Sequence, residues 1–169
     1  MRIALPASCL LVIAACTTTT AVRPTVPTIP TGQSIQLTHR LSSPEYEGRA
    51  PRTPGSALTQ QTLIQEFQKA GMEPVPGRGY RQPFAGGVNI MGWIPGQGDL
   101  ADDVVVVGAH YDHLGIHKKE LHPGANDNAS GVAAMIVAAT GWAKNNTRPR
   151  RSVLVVAFDA EEEGLLGSI

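Results

Sequence analysis

Five residues carry most of the chemistry this sequence can offer: His110, Asp112, Asp127, Glu161 and Glu162. His110 and Asp112 follow the apolar run Val104–Ala109, in the stretch His110-Tyr111-Asp112-His113-Leu114-Gly115. Asp127 sits in Gly124-Ala125-Asn126-Asp127-Asn128-Ala129-Ser130-Gly131, and Glu161 and Glu162 follow a second apolar run, Ser152–Phe158. A neutral imidazole is a good zinc ligand, and a nearby carboxylate that accepts its other N–H fixes tautomer and ring orientation. Each cluster taken alone has a plainer reading. A histidine at a strand end is often merely hydrogen-bonded; Gly, Asn, Asp and Ser build turns and helix caps; and a helix start rich in Glu suits the helix dipole. However, Glu161-Glu162-Glu163 after an apolar run would repel one another unless water or a cation neutralised them. Together the clusters supply a His, an Asp and adjacent Glu residues, the ligand set of zinc or another divalent ion with a carboxylate to spare.

Two strands must position these groups. Short runs of β-branched and apolar residues read as buried parallel strands, and in open α/β sheets ligands collect at the carboxyl ends of such strands. Between the runs, Ala129 to Lys144 is rich in Ala, Val, Ile and Met, as a well-buried helix requires. Strand, site, helix, strand, site is the order of a right-handed βαβ crossover. Upstream, Val88–Ile94 reads as a strand ended by Pro95-Gly96. Ser56 to Gly71 reads as a helix with Leu63, Ile64, Phe67 and Ala70 on one face. The expected fold class is α/β, a largely parallel central sheet flanked by helices.

Lys plus Arg equals Asp plus Glu at 14 each, so no global field argues for nucleic acid as a partner. Both cysteines, Cys9 and Cys16, precede the globular part, which leaves His, Asp and Glu to hold any metal. Residues 1–15 have a short basic start and an apolar core too short to span a bilayer, the pattern of a signal peptide. Residues 16–36 are a Thr/Pro-rich tether, in which the tract Thr17–Gln33 favours extended polyproline II conformation and reaches on the order of 50 Å at about 3.1 Å per residue. Residues 37–169 form the globular domain.

Val12-Ile13-Ala14-Ala15-Cys16 resembles a bacterial lipoprotein box, which implies lipidation of Cys16 and attachment to a membrane. Thr17 after the cysteine resembles lipoproteins sent on to the outer membrane. The three motifs around His110, Asp127 and Glu161-Glu162 resemble, in order and spacing, those of metallopeptidase family 28, the two-zinc aminopeptidases. Gly48-Arg49, Thr53-Pro54-Gly55 and Asn89-Ile90 resemble that family's N-terminal half, extending the likeness over roughly residues 37 to 169.

The resemblance implies a role for each residue. His110 would bind one zinc, Asp127 would bridge two, Glu162 would bind the other, and Glu161 would be the general base that takes a proton from the attacking water; Asp112 would orient His110. Family members hold the peptide after the bridging Asp in the cis form, here Asp127-Asn128. His113, His117 and His122 receive no role, and the last two read as solvent-facing loop residues. The family's two remaining ligands, an Asp and a His, come from a later part of its domain than Ile169, so the chain as given is expected to be the N-terminal part of that domain and inactive by itself. The implied function is a zinc aminopeptidase acting on peptides or proteins. A metal-free binding ectodomain on the same fold and a glutaminyl-cyclase-like acyltransferase are the alternatives.

Overall fold

A computed structural model describes residues 31–144 and 148–169. Its architecture follows from where long apolar runs and their punctuation fall. Helix α1 (Thr31–Leu41) is mostly polar and docks through Leu37 and Leu41, leaving Ile35 exposed. It takes in residues 31–36, which the sequence assigns to the tether. Helix α2 (Pro54–Lys69) begins two residues before the expected Ser56: the Thr53 side chain accepts the Ser56 N–H, and Pro54 occupies the first turn, where its missing N–H costs nothing. Leu63, Phe67 and Ala70 are buried as the pattern requires, and Gly71 at φ +85° ends the element. Thr59 and Thr62 lie on the same buried face, satisfied by Gly55 O and the Tyr46 hydroxyl at 2.7 and 3.0 Å.

Strands β1 (Arg81–Phe84), β2 (Gly87–Ile94), β3 (Val104–His110) and β6 (Ser152–Phe158) form one sheet in the order β1-β2-β6-β3. A small separate hairpin, β4 (Gly115–His117) with β5 (Glu120–His122), lies between the first and second motifs. The expected parallel pair is β3 with β6, and α3 (Ser130–Ala143) is the crossover between them. The other two pairings, β1 with β2 and β2 with β6, are antiparallel. The first is a tight hairpin, which fixes opposite directions, and β2 then enters the sheet against β6 from its far side. The class is therefore α/β, with the parallel character confined to the unit that carries the motifs.

The core sits between one sheet face and the helices. Ile90, Ile94, Val153, Val155 and Ala157 meet Leu41, Leu63, Phe67, Val132 and Ile136. Strand β3 departs from the buried strand expected of its valines: it is an edge strand, and Val104, Val105 and Val106 are exposed.

Asp159, directly after β6, is fully buried and knits the sheet's end together. Its two carboxylate oxygens accept the main-chain N–H groups of Val88 and Ala160 at 2.9 and 3.0 Å, and its own N–H donates to Asn89 Oδ1. Burial raises its pKa, against the pull of those main-chain donors. An acid held above its ordinary pKa stabilises the fold most fully below the unfolded value, and that contribution is lost as pH rises through the folded value. Asp159→Ala leaves the buried Ala160 N–H and the part-buried Val88 N–H without this acceptor and is expected to cost about 2–3 kcal/mol in urea denaturation. The gap from the parent should be widest in acid and narrow as pH rises; a gap that widens with pH would contradict the assigned cause.

Candidate metal centre

The register of β3 and β6 sets His110 beside Phe158, so the first and third motifs leave the same end of the sheet side by side. The Tyr111 N–H donates to Phe158 O at 2.8 Å and locks the two exits together. Tyr111 itself is buried, its hydroxyl donating to Val88 O at 3.0 Å, and burial drives its pKa upward. The second motif arrives at the start of α3. Gly124 there has φ +57°, a conformation that favours glycine, and Asn128 Oδ1 accepts the Gly131 N–H at 3.1 Å, capping the helix. The Asp127-Asn128 peptide is cis.

His110 Nε2 stands 3.2 Å from Asp127 Oδ1 and 3.9 Å from Glu161 Oε2. Its Nδ1 lies 3.3 Å from the main-chain oxygen of Asp112 and 3.7 Å from that residue's carboxylate. The His110 pKa is raised, chiefly by Asp112; burial opposes the shift, and the charges of Glu161 and Asp127 add to it. Asp112 does more than face His110. Its fully buried carboxylate accepts the main-chain N–H groups of Glu161 and Glu162 at 3.0 and 3.1 Å, so one side chain fixes the first motif relative to the third. The residues after Ala160, which has φ +55°, form turns rather than the helix start that a Glu-rich stretch suggests.

A second group overlaps the first. Donor atoms of His113, Asp127 and Glu162 all lie within 4.8 Å of one another, and His113 Nδ1 is 2.7 Å from Glu162 Oε1. Asp127 is common to both groups, with most of its side chain open to solvent. One imidazole and three carboxylates, with a second imidazole alongside, fit the oxygen and nitrogen donors that a zinc-like cation takes. His117 is exposed and His122 half-buried on the β4–β5 hairpin. Cys16 lies outside the described residues.

Two residues of the site have no role in the sequence reading. His113 stands in the same six-residue stretch as His110 and Asp112, and a second imidazole there is the one signal it gives. Arg49 gives less: the sequence offers it only in the Gly48-Arg49 pair of the resemblance, with no role attached. It is in fact fully buried at φ +58°. Its guanidinium donates to four main-chain oxygens: Tyr111 at 2.7 Å, Leu41 at 2.6 Å, and Pro123 and Gly124 at 2.8 Å each. Burial lowers its pKa to about 10, partly offset by the charges of Asp112 and Asp127.

Comparison with known proteins accords with this geometry. Over 66 residues the chain is 41% identical to aminopeptidase YwaD of Bacillus subtilis, a match covering 39% of this chain and 13% of YwaD. The crystal structure of the LapA aminopeptidase of Legionella pneumophila aligns with a TM-score of 0.65 at 26% identity, over 83% of this chain and 37% of LapA. Glutaminyl cyclase of Tannerella forsythia aligns at 0.59 with 21% identity, over 79% of this chain and 48% of that one, a likeness of fold. The chain thus spans less than half the length of each of these proteins. The model of peptidase family M28 matches residues 89–169, the segment that holds His110, Asp112, Asp127, Glu161 and Glu162, so that segment is similar to peptidase family M28.

Proposed function

We propose that the protein is a zinc-dependent aminopeptidase that hydrolyses the N-terminal peptide bond of peptides or proteins. The observation that carries this reading is Asp127, whose carboxylate is shared between the His110–Glu161 group and the His113–Glu162 group. A carboxylate placed so can serve two cations, with His110 completing one set and Glu162 the other. Zinc held there supplies a Lewis acid that polarises the scissile carbonyl and acidifies water. Glu161, left free, takes the proton from the attacking water and passes it to the leaving amine. Asp112 holds the main chain of Glu161 and Glu162 in place and turns the His110 ring.

The test uses the purified protein expressed from its complete reading frame, with an aminoacyl anilide, its N-acetylated counterpart and a peptide beginning with Gln. Hydrolysis of the free-amine substrate alone, abolished by a chelator and restored by zinc, is the expected result. Ammonia release from the Gln peptide without hydrolysis would replace the peptidase by the cyclase that shares the fold. A protein that neither binds zinc nor turns over any substrate would leave the metal-free binding ectodomain.

The sequence Val12–Cys16 supports a further element of the proposal: Cys16 is the lipidated mature N-terminus, placing the site on a bacterial membrane, the outer membrane given Thr17. No helix among the described residues is long and apolar enough to cross a membrane. Mass spectrometry of the mature product should find acyl groups on Cys16; an intact Met1 terminus would refute the anchor.

A further inference from the structure

The His113 ring lies where three loops meet. It follows Asp112 on the loop after β3, it touches Glu162 on the loop after β6, and it packs on Gly124 ahead of Asp127: a Cβ added to Gly124 would come within 2.6 Å of His113 Cδ2. Its side chain is only 13% exposed, so the ring has little room to turn away. We propose that His113 is a positioning residue for the metal centre, donating its Nδ1–H to Glu162 Oε1 and thereby aiming the second carboxylate oxygen at the cation. This rests on the metal-binding reading of the site.

The chemistry decides which partner donates. An ionised carboxylate only accepts, so at 2.7 Å the proton lies on His113 Nδ1 and the neutral ring is the Nδ1–H tautomer. A nitrogen bearing that proton cannot also bind a metal. The spacing agrees: two donors each about 2.0–2.1 Å from a tetrahedral zinc stand about 3.3 Å apart, wider than the observed contact. Held in this way, Glu162 keeps one oxygen engaged and one free, and the cost of ordering a long flexible carboxylate is met before a cation arrives.

Two measurements test the assignment. In the metal-free parent protein, at a pH where the ring is neutral, nitrogen NMR should show His113 as the Nδ1–H tautomer; the Nε2–H form overturns the proposal and requires no variant to fold. In zinc competition titrations, His113→Ala should weaken binding of one ion about 10- to 100-fold. His113→Asn, whose amide N–H can take the place of Nδ1–H, should stay within about threefold of the parent. If Asn is as weak as Ala, and cadmium-113 in the parent protein couples directly to a His113 nitrogen, then His113 is a ligand and the proposal fails. Unchanged affinity in His113→Ala fails it as well. A parent protein that binds no zinc overturns the metal reading itself, whereas the expected titrations with no peptidase turnover sink only the proposed reaction.

Discussion

In a complete version of the domain, Glu161→Gln is expected to keep its zinc and to lose turnover by about a hundredfold or more, the usual scale of a general acid–base group. The side chain reaches to 3.9 Å from His110 Nε2 while remaining about one-third exposed, so it borders the metal groups and still meets substrate and water. Its main-chain N–H is held by Asp112, and Gln preserves that contact along with side-chain length and shape. What is lost is the capacity to accept a proton. Glu162→Gln should behave in the opposite sense, with metal lost first and activity only as a result, because the charge it removes offsets a cation. Paired measurements of zinc content and kcat separate the two. Full activity in Glu161→Gln on an aminoacyl anilide would mean that another group is the base.

Arg49→Met is expected to destabilise the fold by about 3 kcal/mol or more. Burial lowers the guanidinium's pKa to about 10, a desolvation cost on the order of 3 kcal/mol. Against it stand four hydrogen bonds from a charged donor, each worth roughly 1.5–3 kcal/mol, so the bonds outweigh the burial. Methionine removes the cost but leaves four main-chain oxygens without this donor, at the end of α1, after β3 and ahead of Asp127. Because the same group ties Tyr111 to Pro123 and Gly124, the loss should also loosen the alignment of His110 with Asp127. Zinc affinity should therefore fall in conditions where the variant is still fully folded. Arg49→Lys, with three donors on one nitrogen, should recover part of the stability. Urea midpoints equal to the parent's would show that the carbonyls find other partners.

Much of this arrangement is legible in the sequence because it rests on contiguous signals. The runs Val104–Ala109 and Ser152–Phe158, the Ala-rich stretch between them and the apolar face Leu63, Ile64, Phe67 and Ala70 of α2 name their elements without help from tertiary context. Strand β1 is not readable this way: Arg81-Gln82-Pro83-Phe84 has no clean alternation, and Pro83 is tolerated because the strand lies at a sheet edge. The antiparallel pairing of β2 with β6 leaves no local trace either. Helix α1 is too polar to declare itself, since only Leu37 and Leu41 dock it. In the site, the acidic and imidazole residues announce themselves by type. Arg49 does not, because its value depends on four carbonyls from three distant segments. Asp112 is readable as a partner of His110, whereas its hold on the Glu161 and Glu162 main chain depends on a sheet register that no spacing records.

The edge position of β3 has a further consequence in the time domain of amide hydrogen exchange. Strand β6 is paired on both sides, to β2 and to β3, so its N–H groups are bonded along its length. Among the described residues β3 is paired only to β6, and a parallel neighbour on one side engages every other residue, leaving the alternate N–H groups facing outward. Exchange from the folded state should therefore be uniformly slow through Ser152–Phe158 and should alternate slow and fast along Val104–His110. The strand that delivers His110 is thus held rigid from one flank, by the same strand that delivers Glu161 and Glu162.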